Sequence, residues 1–330
     1  MMRVHESSTC RCCRLVLSMG VLWILSAGVV RAEEASGQKT FAKPDEALRA
    51  LVAAARKDDS AAMLAILGPN SDQVLSSGDP VADAADRKWF VGAASKRTSF
   101  EKVNDNTMIA QVGNEAWPFP IPLVKSGDTW RFDTAAGAAE LLNRRIGRNE
   151  ITAISVARAY VDAQREYAAK DRTGSGVGVY AQKVASEPGK HDGLYWEETS
   201  PADRSPLGPL VADASSEGYS PSQGGEGPRP YHGYFYRILT AQGAAAPGGA
   251  KSYIKDGQMT GGFALVAYPA EYHSSGLMTF IVGPQGVVFQ KDLGEKTAEL
   301  GKAMTEYNPD DTWTPARDTP PAPIPRAGPS

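Results

Sequence analysis

The chain has 330 residues, a formal net charge of −3, 42% hydrophobic and 22% charged residues. That composition excludes a disordered chain and leaves room for one large domain or two of ordinary size. A weakly acidic balance argues against a nucleic-acid binder, and no basic block is present to hold the chain to anionic lipid.

At the N terminus Arg3, Arg11 and Arg14 precede an apolar run from Leu15 to Val30, and Val30-Arg31-Ala32 stands before Glu33-Glu34. The pattern predicts a secretory signal over residues 1–32, cleaved after Ala32, and a periplasmic or secreted destination. The run falls short of the roughly 20 residues a spanning helix needs, so stable membrane insertion after cleavage is not expected; an uncleaved anchor is the alternative. Cys10, Cys12 and Cys13 all precede the apolar run, so none stands where a lipoprotein is acylated. The mature chain then has no thiol, which excludes disulfides, thiolate catalysis and cysteine metal sites. Loss of Arg3, Arg11, Arg14, Arg31 and Glu6 takes the net charge from −3 to −6.

From Phe41 the apolar spacing is helical: Ala47, Leu48, Leu51, Val52 and Ala55 share a face, with Pro44 suited to the first helical position and Asp45 and Glu46 to the first turn. A second helix is predicted from about Asp59, burying Met63, Ile66 and Leu67 and stopped by Gly68-Pro69. Asp79-Pro80 caps a third, with Val81, Ala85 and Trp89 as its apolar stripe. After Phe100 the period becomes two, with Met108, Ala110 and Val112 on one face of a strand. The stretch WPFPIPLV, Trp117 to Val124, alternates large apolar residues with Pro118, Pro120 and Pro122. Those prolines remove donors from one edge only, which predicts an edge strand blocked against further pairing, with Trp117, Phe119, Ile121 and Leu123 facing the core. A polyproline helix is the alternative. A Ser126-Gly127-Asp128 turn then leads into Trp130-Arg131-Phe132-Asp133, closing a hairpin.

The second half opens with a helix whose inner side carries Ile151, Ile154, Ala157, Tyr160, Val161, Gln164 and Tyr167, with a break predicted at Gly147. A loop-rich region follows, and strands return at 234–239, 262–268, 277–282 and 287–290. Gly283 to Gly286 turns between the last two. Past Trp313 the tail is proline-rich and predicted to be disordered. The expected organisation is a signal (1–32), an α+β domain (33–148), a second α+β domain (149–315) and a tail (316–330).

Three helices before an antiparallel meander resemble the NTF2-like and cystatin-like folds over Phe41 to Ala136. The segments FPIPLVKSGDTWRFDTAAG, LLNRRIGRNE, RAYVDAQREYA, DGLYW, SPLGPLVADA, RPYHGYFYRILTAQG and GGFALVAYPAEY resemble the bacterial domain of unknown function 2950 family over nearly the whole mature chain. That resemblance implies no activity or site. The element order of the second half also resembles the globular head of type IV pilin-like proteins, a helix on an antiparallel sheet. The N-terminal methylated hydrophobic helix of those proteins is missing, which puts filament assembly in doubt.

Candidate chemistry is sparse. His191, His232 and His273 are the histidines of the mature chain, without the paired spacing of a metal motif. Tyr231, His232 and Tyr234, with Tyr268, Glu271 and His273, supply aromatic rings and polar tips suited to a sugar or peptide pocket, although strand aromatics also build cores. Arg144, Arg145 and Arg148 offer forks for a phosphate or carboxylate, or a solvated helix end offset by Glu140 and Glu150. Asp171 to Gly176 resembles a calcium loop, but Thr173, Ser175 and Gln182 stand where charged ligands belong. There is no nucleophile elbow and no phosphate loop, while a carboxylate pair is a matter of spatial separation. No metal or other cofactor is expected. The sequence thus leans away from an enzyme, towards an exported binding or assembly module with an envelope protein partner. A hydrolase pairing Asp or Glu with His232 or His273 is the rival.

Overall fold

A computed structural model describes residues 37–69, 71–172, 178–219 and 229–317. The predicted signal, the tail beyond 317 and positions 173–177 of the calcium-like loop lie outside these residues. Gln182, read as its last ligand, donates instead to the Gly257 carbonyl at 2.8 Å.

The architecture is α+β. Helix α1 (Pro44–Arg56) starts at its proline, carries Asp45 and Glu46 in the first turn, and buries Ala47, Leu48, Leu51, Ala54 and Ala55 as the spacing predicts. Helix α2 (Ser60–Leu67) is capped by Asp59, which accepts the Ala62 N–H. A single turn, α3 (Asp72–Leu75), precedes α4 (Pro80–Lys96), whose N-cap is Asp79. The predicted stripe of α4 is rotated: Trp89 is 51% exposed, and Phe90 is the ring that packs inward, 5.1 Å from Phe119. Asp83 also faces inward, where it accepts from the hydroxyl and N–H of Ser77, so polarity misled the periodicity.

Strands β1 (Thr98–Asn104), β2 (Thr107–Val112), β3 (Trp117–Pro118), β4 (Leu123–Ser126) and β5 (Thr129–Phe132) form one antiparallel sheet in the order β1-β2-β4-β5, with β3 also on β2. The end of the WPFPIPLV stretch, β4, is therefore interior, between β2 and β5, whereas its start, β3, pairs with β2 alone. Its prolines fall largely in a detour: residues 119–122 stand opposite Ile109 and Ala110 alone, because Pro118 pairs with Gln111 and Leu123 with Met108. Within the detour neither neighbouring strand needs the missing donors, and the Phe119 N–H still reaches the Ala110 carbonyl at 2.7 Å. The apolar alternation holds, with Phe119, Ile121 and Leu123 buried.

Helix α5 (Thr134–Ala168) runs without a break through Gly147. Its first turns lie against the proline detour, where only glycine fits: a Cβ on Gly137 would stand 2.4 Å from the Ile121 Cα. Its second half buries Ile154, Ala157, Tyr160, Val161, Gln164 and Tyr167 as expected, whereas Ile151 is exposed. Gln164 clamps the incoming loop through both backbone groups of Ala181, each at 2.8 Å.

Helix α6 (Gly208–Ser216) precedes the second sheet. Strands β6 (Tyr234–Leu239), β11 (Ala264–Pro269), β12 (Met278–Val282) and β13 (Val288–Asp292) match the predicted strands to within two residues. Short strands β7 (Ala241–Gln242), β8 (Lys251–Ser252), β9 (Ile254–Lys255) and β10 (Gln258–Met259) lie between β6 and β11. Helix α7 (Thr297–Ala303) and strands β14 (Glu306–Tyr307) and β15 (Thr314–Pro315) complete the described chain, and the large sheet is ordered β15-β13-β12-β11-β6. All six residues of β11 are buried because α5 and α7 both pack on it, which is why its sequence lacks alternation. No helix among the described residues is long and apolar enough to cross a membrane.

Candidate functional site

The densest polar cluster forms where α4 begins. Aspartate at an N-cap satisfies the free N–H groups of the first turn, and Asp79 does so with one oxygen, accepting from Val81 and Ala82 at 3.1 Å each. Its other oxygen accepts the Tyr219 hydroxyl and the Gly233 N–H, both at 2.8 Å. Asp79 is 1% exposed, so this one carboxylate joins the first helices to a loop of the second half. Gly233 must be glycine, since a Cβ would stand 2.5 Å from the Asn149 Nδ2. Beside it His232 adopts φ 47°, in the left-handed region; its N–H donates to the Tyr219 hydroxyl at 3.2 Å, and its Nε2 lies 2.8 Å from Glu217. Tyr231 stacks edge-on against both Tyr219 and His232. Burial pushes the Tyr231 hydroxyl up to about 12, with Glu217 and Asp213 adding to the shift. Tyr219 is raised further, first by burial and then by Asp79.

Arg145, from the middle of α5, donates to the carbonyls of Gln73, Val74 and Ser76. It thereby covers the C-terminal end of α3, where a cation is favoured. Burial lowers its pKa, opposed by Asp83, Asp86 and Glu271. Glu271 packs against Gly78, where a Cβ would stand 2.8 Å from its Cγ. One turn further along α5, Asn149 donates to the Ser275 carbonyl, and Glu150 accepts the N–H groups of Leu277 and Met278, each at 3.0 Å. Burial raises the Glu150 pKa against those two bonds.

Tyr231, His232, Arg145 and Glu271 are thus brought to one junction. Tyr234 is a core residue, 0% exposed, donating to the Met278 carbonyl. Tyr268 packs on Phe235 and against Gly301 of α7. His273, also left-handed at φ 64°, stacks on Tyr272 and lies 4.0 Å from Glu295. His191 stacks on Trp196 and pairs with Asp203 at 3.2 Å. Each histidine has its own carboxylate, and among the described residues no three His, Cys, Asp or Glu are grouped to hold a metal ion. Arg144 pairs with Glu140 at 2.7 Å, and Arg148, beside Arg145, pairs with Asp86 at 2.8 Å. Asp79, Tyr219, Asn149 and Glu150 escaped the sequence reading as junction residues. Asp79-Pro80 was visible as a cap, but no local signal gives a cap a second role.

At the junction every carboxylate oxygen of Asp79 and every N–H partner described is already engaged. The four bonds to Asp79 orient backbone and side chain at the junction. The family profile described as "Protein of unknown function (DUF2950)" matches residues 38–316. The chain belongs to the DUF2950 family. The DGLYW segment quoted for this resemblance is structural here: Asp192 accepts the Glu187 N–H, Leu194 is 0% exposed, and the Trp196 indole donates to the Asp203 carbonyl. For this DUF2950 protein no curated protein and no solved structure gives a match.

Proposed function

We propose that this DUF2950 protein is an exported envelope protein that acts as a binding module without catalysis of its own. One observation carries the reading: both oxygens of the buried Asp79 carboxylate are consumed by internal bonds, four in all. Ionisable groups held that way position loops and helices, whereas a general base needs a free lone pair facing substrate. Export rests on the Arg-rich start, the apolar run and the small-residue site before Glu33. The packing of α5 on an antiparallel sheet supports the likeness of the second half to pilin-type heads, and with it a protein or polymer partner in the envelope.

The rival hydrolase would rest on His232 and Glu217, 2.8 Å apart and partly exposed. Two measurements on protein from native cells test the proposal. N-terminal sequencing of the periplasmic fraction should begin at Glu33, and an intact N terminus in the cytoplasm would overturn the export reading. Ester, phosphoester, glycoside and peptide substrates should show no turnover; turnover that His232→Ala abolishes would establish the rival.

A further inference from the structure

On the face of α4 and α5 that carries Arg144 and Arg148, two indoles meet at the surface. Trp89 and Trp117 are perpendicular, at 83°, with centroids 5.0 Å apart. Trp89 is 51% exposed, whereas every other Phe, Trp and Tyr among the described residues is buried or partly buried. Of its helical neighbours, Ala85, Gly92 and Ala93 are small, and Asp86 is the one charged residue. A Cβ on Gly92 would meet nothing within 4 Å, so the indole stands clear of its own helix.

Trp117 is presented by a strained backbone. Ala116, directly before it, has φ 50°, a conformation that costs a residue with a Cβ free energy and persists only where surroundings hold it. Here the hold is its N–H on the Gly113 carbonyl at 3.1 Å. The Arg144 guanidinium lies over the Trp117 ring at 5.1 Å and is itself paired with Glu140, both partners more than a third exposed. Asp86, one turn before Trp89 on α4, pairs with Arg148, again with both partners exposed. Two aromatic planes at a right angle therefore stand beside two arginine–carboxylate pairs whose charges cancel.

We propose that this corner binds a neutral glycan, a chain of linked pyranose rings. The C–H face of a pyranose is apolar and carries slight positive charge, which suits the negative face of an indole. Its rim of hydroxyls needs both donors and acceptors, and the carboxylates and guanidiniums beside the rings supply both. Cancelled charge disfavours phosphate and polyanions, which select uncompensated cations. A stable protein interface would need about 1,000 Å² or more with an apolar centre, and charged residues surround these two rings on α4 and α5. The inference deepens the binding-module reading and rests on it.

The test titrates the mature protein with chitohexaose, cellohexaose and maltohexaose by calorimetry and tryptophan fluorescence, with a pull-down on isolated peptidoglycan sacculi. Binding by at least one glycan is expected, weakened about tenfold or more by Trp89→Ala and less by Trp89→Phe, with thermal unfolding unchanged. Affinity should hold between about 50 and 500 mM NaCl, since no net charge is screened. Absence of binding to all three hexaoses at about 5 mM and to sacculi in the pull-down overturns the proposal, as does binding that survives Trp89→Ala or collapses with salt. Release of new reducing ends would instead sink the non-catalytic reading while leaving the site standing.

Discussion

Asp79→Ala tests whether one carboxylate joins the halves of the molecule. The substitution removes the N-cap of α4, worth about 1 kcal/mol, and strands the Tyr219 hydroxyl and the Gly233 N–H that Asp79 accepts at 2.8 Å. At about 1–2 kcal/mol for each buried group left without a partner, the total loss is about 3–5 kcal/mol, a fall in Tm on the order of 10 °C. Asp79→Asn should fall between wild type and Ala. Its oxygen can still accept from Val81 and Ala82, but its amide then faces the Gly233 N–H as a second donor. Urea unfolding followed by far-UV circular dichroism measures the losses, and Tyr219→Phe completes a double-mutant cycle with an expected coupling of about 1–2 kcal/mol. A loss under about 1 kcal/mol for Asp79→Ala, or strict additivity with Tyr219→Phe, would refute the assignment.

Three further outcomes follow from the geometry. Gly147 lies inside α5 with open space where its Cβ would be, so Gly147→Ala should stabilise by about 0.5–1 kcal/mol; destabilisation in urea unfolding would show that the helix is not continuous there. Glu150→Gln keeps an oxygen for the Leu277 and Met278 N–H groups and should match or exceed wild-type stability at pH 7, whereas Glu150→Ala should lose about 2–3 kcal/mol. Because burial raises the Glu150 pKa above its ordinary 4.5, wild-type stability from this residue is present at low pH and lost as pH rises through the raised value. Glu150→Gln should lack that slope, and identical pH profiles would contradict it. In alkali, burial places Tyr231 and Tyr307 at about 12 and raises Tyr160, Tyr219, Tyr234, Tyr236 and Tyr253 as well. Unfolded tyrosines ionise near 10, so stability should be intact below pH about 10 and fall as pH rises towards 12. Absorbance at 295 nm should rise together with loss of helix; complete tyrosine ionisation in a folded protein would refute the burial.

What the sequence made legible was local. Pro44, Asp59, Asp79 and Gly68 set helix boundaries through signals lying within one turn of the boundary, and the apolar spacing of α1 and late α5 named their buried residues. Pairing was not legible, because it depends on segments far apart. The prolines of WPFPIPLV were correctly read as missing donors, but whether those gaps face solvent or a neighbouring element is decided by β5 and α5. The stripe of α4 failed because Asp83, partnered by Ser77, takes an inward position that a polar residue rarely holds alone. The junction was hidden for the same reason: Asp79 finds Tyr219 and Gly233 across separations of 140 and 154 residues. Among the candidate site residues, the three arginines were read as one basic run. Arg145 donates to the carbonyls of α3, whereas Arg144 and Arg148 pair with Glu140 and Asp86.

The turn of α5 around residues 145–150 is heavily bonded to other elements. Here Arg145 reaches the carbonyls closing α3, Asn149 reaches Ser275, and Glu150 holds the backbone entering β12. Since α5 is unbroken through these residues, its two halves cannot reorient without exposing an orphaned guanidinium or two orphaned N–H groups. Each of those costs more than a typical surface interaction returns. Rigid coupling at this turn also fixes the neighbouring exposed side chains of the same helix, so Arg144 and Arg148 stand in a constant relation to Trp117 and to α4. A recognition surface for a weakly held neutral ligand needs that constancy, because rotamer and loop ordering would otherwise consume much of the binding free energy.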